Sequence, residues 1–197
     1  MELSNEGSMR SAGIERIPLP GPVDKIKRAI WNFTSALIYR PSPVYLFGWR
    51  CLVLRVFGAT LATGARPYPN ARIWAPWNLT MEAASCLGPE VECYNPGRIL
   101  VRCGATVSQR AFLCTASHDP HDRSFALMVG QIEIGPGAWV AAEAFIGPGV
   151  TVGRDSIVGA RAVVIHDVGV NLIVAGNPSR IVGIRYADGP VDTPELP

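Results

Sequence analysis

Aliphatic side chains recur at every sixth position through the second half of the chain: Ile134, Val140, Ile146, Val152, Val158 and Val164. Each of the first five is followed by a small residue, Gly135, Ala141, Gly147, Gly153 and Gly159, and a second phase of small or β-branched residues runs through Ile132, Ala138, Ala144, Val150, Ser156 and Ala162. A period of six is neither the 3.6 of a helix nor the 2 of a simple strand, and it fits a short flat strand followed by a corner, repeated around a three-sided prism. One aliphatic per face points inward, and small residues serve where the chain bends and backbones come close. Stacked coils then pair face on face at about 4.8 Å, so that a unit too short to fold alone builds its core by stacking.

The same phase extends backwards through Met81, Leu87 and Cys93 and, after a two-residue insertion, through Val101, Val107 and Leu113. Fifteen residues then separate Leu113 from Met128, one repeat plus nine, and Met128 leads by six to Ile134. This reading starts the repeat near residue 79 and counts thirteen copies, Met128 among them. The fold expected is mainly β, a parallel β-helix over residues 66–185, with residues 186–197 as a tail.

Upstream the pattern changes. Residues 1–22 mix Gly, Ser and charge and end in a proline-rich run, which reads as a flexible or extended arm. Residues 23–65 read as a helical segment. Asp24 is a candidate cap for a helix whose apolar residues Ile26, Ala29, Ile30, Phe33 and Leu37 share one face, ending at or before Arg40 because Pro41 follows. A second helix runs between Val44 and Phe57 and closes at Gly58. Between residues 23 and 60 stand six basic residues and one acid, Asp24, interleaved with aromatics. Two uses stay open: a cap whose aromatic face packs on the rest of the domain, the commoner use of such a helix, or a contact with a membrane interface. The second helix is too short and too charged to span a bilayer.

Eighteen Lys and Arg against sixteen Asp and Glu leave a net charge of +2, which provides no general field for nucleic acid, so any anion site is local. The five cysteines are odd in number and form no C-x-x-C pair, which argues for reduced thiols acting as small core fillers. With no signal-peptide-like apolar run in the first 22 residues, the expected setting is the cytoplasm, at the inner membrane face if residues 23–60 touch lipid.

On these repeats the chain resembles the hexapeptide-repeat acyltransferases, and within them the sugar O-acetyltransferases of the galactoside, maltose and nodulation-factor group. The stretches Trp31-Asn32-Phe33 through Arg40-Pro41-Ser42-Pro43 and Leu113-Cys114-Thr115-Ala116-Ser117-His118-Asp119 are most similar to the colanic-acid-biosynthesis type. The resemblance implies a left-handed coil, acetyl-CoA as co-substrate, a sugar or glycoside acceptor, no metal, and a homotrimer with its sites between subunits.

It also implies roles. His118 matches the family's Thr-x-x-His motif and sits where the coil gives way to an insertion; one imidazole suffices as general base when a hydroxyl attacks a thioester. Asn95 matches an asparagine near the acceptor or oxyanion, with a turn-forming Asn before Pro as an equal reading, and Asp119 is a candidate to orient His118. Ala141, Ala142, Gly159 and Ala160 match corners along which the pantetheine arm of CoA lies, Trp139 an aromatic beside that groove, and Arg180, in Ala175-Gly176-Asn177-Pro178-Ser179-Arg180, a partner for a CoA phosphate. The chain departs from the family pattern at Ile165-His166, where a Thr-Lys pair is usual, and at Gly183, where Arg185 is the candidate substitute. Two other readings use the same scaffold. A zinc hydratase needs three histidine ligands, and His118, His121 and His166 are the three present; a non-catalytic trimeric scaffold needs none.

Overall fold

The computed structural model describes residues 14–16, 21–120 and 122–192. Most of it is a parallel β-helix with three faces. The first face stacks Thr60–Leu61, Leu79–Met81, Ile99–Val101, Ile132–Ile134 and Thr151–Val152. The second stacks Arg66–Pro67, Cys86–Leu87, Thr106–Val107, Trp139–Val140, Ile157–Val158 and Leu172–Ala175, and the third Arg72–Ile73, Glu92–Tyr94, Phe112–Cys114, Phe145–Ile146 and Val163–Val164. The six-residue phase is the register itself. Leu61, Met81, Val101, Ile134 and Val152 align on one face. Ile73, Cys93, Leu113, Ile146 and Val164 align on another. All point into a continuous interior, closed off by the second small phase, Ile132, Ala138, Ala144, Val150, Ser156 and Ala162, likewise buried. Enclosing one such aliphatic side chain contributes roughly 1.5–3 kcal/mol, repeated at every level.

The corners explain the small residues. A Cβ on Gly135 would lie 2.7 Å from the Val152 carbonyl oxygen, and one on Gly153 would lie 2.6 Å from the Gly169 backbone, so the stacked coils leave no room there. Two expectations need correction. The solenoid begins one coil earlier than residue 79, at Thr60; Pro67 is a poor match to an aliphatic phase, and a short 3-10 turn, Pro76–Asn78, breaks the spacing before Met81. Met128 is not a coil position: it lies in a hairpin, Ala116–His118 paired antiparallel with Leu127–Gly130, that leaves the prism altogether.

Most of the 1–22 arm lies outside the described residues, but Ile14–Arg16 is a strand that adds antiparallel to Leu127–Gly130, Gly21 caps the first helix and Pro22 opens it. Of the 186–197 tail, residues 186–192 hold no helix or strand, with one turn at Ala187 and Asp188, and the rest lies outside the described residues; the strand Arg180–Ile184 folds back on Leu172–Ala175 to close the prism. Helix α1 spans Pro22–Thr34, with Gly21 rather than Asp24 at the cap; Pro22 suits the first turn, and Asp24 lies within it, where a carboxylate favours the positive helix end. A wider turn, Ser35–Tyr39, follows, then α2 at Phe47–Val56.

The helices dock through polar and aromatic groups. Trp31 Nε1 donates to the Ile73 carbonyl at 2.6 Å, and Tyr39 Oη donates to the Tyr68 carbonyl at 2.9 Å. Lys27 lies over the Trp77 ring and Arg28 over Trp74. The buried Arg50 guanidinium donates to the carbonyls of Pro67, Pro43 and Val44. Trp31, Tyr39 and Phe57 pack on the solenoid, as the cap reading requires, while the face carrying Ile26, Ala29, Ile30, Phe33 and Leu37 is turned outward.

The cysteines divide. Cys51 and Cys93 are buried fillers, Cys86 and Cys114 half-buried, and Cys103 exposed. Burial pushes the Cys93 thiol up to about 12 and raises those of Cys51, Cys86 and Cys114. Because the thiolate is the reactive form, a disulfide reagent such as DTNB should label one equivalent, Cys103, rapidly in the native protein and all five after unfolding; two or more fast equivalents would contradict this packing.

Candidate active site

His118 stands at the tip of the excursion that leaves the third face after Cys114. Its base is pinned by Thr115: the buried hydroxyl accepts from the Gly97 N–H at 2.9 Å and donates to the Tyr94 carbonyl at 3.3 Å. The returning strand lies tight on the coils, and a Cβ at Gly130 would collide with the Gly149 backbone. A polar turn shapes the tip, where the Asp122 carboxylate accepts the Ser124 N–H at 2.8 Å and the Phe125 N–H bonds the Asp122 carbonyl at 2.8 Å. That first contact holds the Asp122 carboxyl below its ordinary value. The turn leaves Phe125 in the left-handed region, φ 51°, a conformation that a bulky residue seldom adopts and that persists where the surroundings impose it.

The strained residue presents its carbonyl oxygen to His118 Nδ1 at 2.8 Å and its ring flat against the imidazole, centroids 4.1 Å apart and planes 7° off parallel. A carbonyl only accepts, so Nδ1 carries the proton in this contact, and Nε2 holds the lone pair at an exposed position. An imidazole so held can accept a proton at Nε2.

Asp119 lies beside Arg16, its carboxylate 3.6 Å from that guanidinium, and Arg16 reaches Asp122 at 3.2 Å, so the N-terminal strand ties the loop down by charge as well as by backbone pairing. The contact that orients the His118 ring is the Phe125 carbonyl and ring. Neither Phe125 nor Arg16 was singled out in the sequence. An apolar residue inside a polar insertion was a signal for the first; nothing in the local pattern signalled the second.

Asn95 is placed differently from the expectation. Its side chain is fully enclosed, and its amide accepts from the Ala75 N–H at 2.9 Å and donates to the Ala75 carbonyl at 2.8 Å. Asn78 adds bonds to the carbonyls of Asn95 and Pro96. Both ends of the Asn95 amide are therefore used in stitching one coil to the next, which corrects its assignment as an acceptor contact.

The proposed CoA residues fall mainly together. Ala141 and Ala142 lie directly above Gly159 and Ala160 at the corner between the second and third faces, where Glu143 bridges Arg110 and Arg161 at 2.7 and 2.6 Å. Those two guanidiniums, Arg161 foremost, hold the Glu143 carboxyl below the usual carboxylate range. Trp139 is exposed on the adjoining strand and donates to Ser108 Oγ at 2.8 Å. Ala175 touches the Gly159 position, and Arg180 pairs with Ala175, so Arg180 reaches this same corner.

Arg185 does not. Its guanidinium donates to the carbonyls of Gly137 and Asp155, at 2.8 and 3.2 Å, at the corner between the first and second faces, and stacks over Tyr186. It serves as a strap, not as a substitute for the missing basic residue. Ile165 and His166 are exposed where the chain leaves the third face, and among the described residues no group of three His, Cys, Asp or Glu is placed to hold a metal ion; His121 lies outside them.

A parallel β-helix with a hairpin-borne histidine defines a class. Residues 131–166 match the family model of the bacterial transferase hexapeptide (six repeats). The chain is 35% identical over 160 residues, 81% of its own length and 88% of the relative's, to the protein assigned as the colanic acid biosynthesis acetyltransferase WcaF of Escherichia coli strain K12. It therefore belongs to the hexapeptide-repeat acetyltransferases, in the group that contains WcaF. Among solved structures, a maltose O-acetyltransferase from Clostridium difficile 630 superposes with TM-score 0.75 at 19% identity, covering 84% of this chain and 90% of that one. A hexapeptide-repeat acetyltransferase from Vibrio cholerae complexed with acetyl coenzyme A gives 0.76 at 19% identity, covering 87% and 94%. These two likenesses establish the fold.

Proposed function

We propose that the chain transfers an acetyl group from acetyl-CoA to a sugar hydroxyl, in the modification of an exopolysaccharide or related glycoside. The observation that carries the reading is the Nδ1 contact of His118, which leaves Nε2 as a free base on an exposed tip. An acceptor hydroxyl bonded to Nε2 gives up its proton as its oxygen attacks the thioester carbonyl. The tetrahedral intermediate collapses by breaking the carbon–sulfur bond, and the departing thiolate takes the proton back from the imidazolium. The products are an O-acetyl ester and CoA, with no covalent enzyme intermediate. Family membership with WcaF and the acetyl-CoA carried by the Vibrio relative support the donor assignment.

In this reading Ala141, Ala142, Gly159 and Ala160 leave room for the pantetheine arm, Trp139 flanks it, and Arg180 meets a phosphate. That corner and the His118 loop occupy opposite edges of the third face, so the reading pairs one chain's histidine with a neighbour's corner in a closed homotrimer. The direct test is release of free thiol from acetyl-CoA across a panel of sugar acceptors. Thiol release that depends on a sugar supports the proposal, and absence of acetyl-CoA binding leaves a bare scaffold.

The two arginines provide a sharper check. Arg180→Ala should raise the KM for acetyl-CoA about tenfold, the loss of one charge-assisted contact, with little change in melting temperature. Arg185→Ala should lower the melting temperature by several degrees, on the order of 1–3 kcal/mol for two carbonyls losing their donor, and leave that KM unchanged. Steady-state kinetics beside a thermal melt distinguish the two, and reversed effects would contradict the assignment.

A further inference from the structure

The outward face of the two helices takes no part in the proposed transfer reaction. On α1 and the turn after it, Ile26, Ile30, Phe33 and Leu37 recur at helical spacing and are 55–69% exposed. On α2, Trp49, Leu52 and Val56 recur in the same way, and Val44, Tyr45 and Leu46 link the two sets. The stripes join: Trp49 Nε1 donates to the Ile38 carbonyl at 3.3 Å, and a shallow groove between the helices is lined by Leu37, Ile38, Pro41, Leu46 and Trp49. A contiguous apolar surface of this kind marks an interaction site rather than ordinary scatter of exposed side chains. The inner side of α1 and the turn after it packs on the solenoid through Lys27, Arg28, Trp31 and Tyr39.

We infer that this surface docks on an anionic lipid bilayer, lying in the interface with Phe33, Tyr45 and Trp49 at headgroup depth. Charge selects the occupant. Lys25 and Arg40 are exposed in the segment, Arg55 is exposed while donating to the Leu61 carbonyl, and the one acid within it is Asp24, so the apolar patch is flanked by an excess of cations. Docking the patch on the same patch of a second copy would bring those cations together, whereas acidic headgroups attract them, each basic side chain near such a surface adding to binding. No helix among the described residues is long and apolar enough to cross a membrane, so the contact is peripheral. The inference stands apart from the transfer reaction.

Flotation of the full chain with vesicles tests it. The protein should float with phosphatidylglycerol–phosphatidylcholine vesicles, much less with phosphatidylcholine alone, and less again at high salt. Phe33→Asp with Leu52→Asp, both at exposed positions, should cut partitioning about tenfold or more without altering far-UV circular dichroism. Lys25→Glu with Arg40→Glu should abolish the preference for anionic vesicles. His118→Ala should float like the parent, which separates a failure here from a failure of the catalytic reading. The inference is overturned if the parent chain does not float or if the Asp variants float equally well. It is also overturned if those variants instead change the oligomeric state in sedimentation, which would make the surface a contact between copies.

Discussion

Replacing His118 by alanine is expected to lower kcat by about 10² to 10⁴, the range for loss of a positioned general base, while the KM for acetyl-CoA stays within a few-fold. The expectation follows from how the imidazole is held. Phe125 fixes it twice, through the carbonyl at Nδ1 and through the stacked ring, and the left-handed backbone at Phe125 is stabilised by the turn that Asp122 closes. The side chain itself is exposed and makes no core contact, so its removal should leave the fold intact. A kinetic loss without a shift in melting temperature is the signature; near-normal turnover would end the role. Sugar-dependent thiol release measured beside a thermal scan is enough to decide.

Asn95→Ala should do the reverse. It strands the Ala75 N–H inside the coil, while the Ala75 carbonyl keeps its bond from the Asn78 N–H, and one buried backbone group without a partner costs about 1–3 kcal/mol. For a chain of this size that lowers the melting temperature on the order of 3–10 °C. At a temperature where the variant remains folded, its KM for the acceptor should be unchanged. A raised acceptor KM with a normal melt would restore Asn95 as an acceptor contact and contradict the interior placement.

Much of the fold was legible because the β-helix makes its register a property of the sequence. From Ile134 onward the inward aliphatics align with the residue three repeats along, Ile134 with Val152, Val140 with Val158 and Ile146 with Val164, as the six-residue phase requires. The phase blurred where other physics intervened. Pro67 fills an inward position without being aliphatic, and Met128 keeps the spacing by coincidence while belonging to a hairpin.

The helices show a different limit. Periodicity identified which residues of α1 share a face, but not which way that face points. Direction was set by Lys27 and Arg28 finding indole rings on the solenoid and by Trp31 finding a carbonyl, long-range partners that no local window contains. The site was legible to the same degree. His118 could be read from its motif and its place at an insertion, whereas Phe125 and Arg16 matter through a turn conformation and a strand pairing that arise only in three dimensions. Arg180 and Arg185, five residues apart, reach different corners because the closing strand carries them along the edge of the prism.

The most direct measurement is a crystal structure of the protein with CoA and an acetylatable sugar. The account predicts CoA along the corner built by Ala142 and Ala160, and the acceptor hydroxyl oxygen about 3 Å from His118 Nε2, facing the thiol. A nucleophilic hydroxyl seated away from that nitrogen, or CoA bound at another edge of the prism, would contradict it.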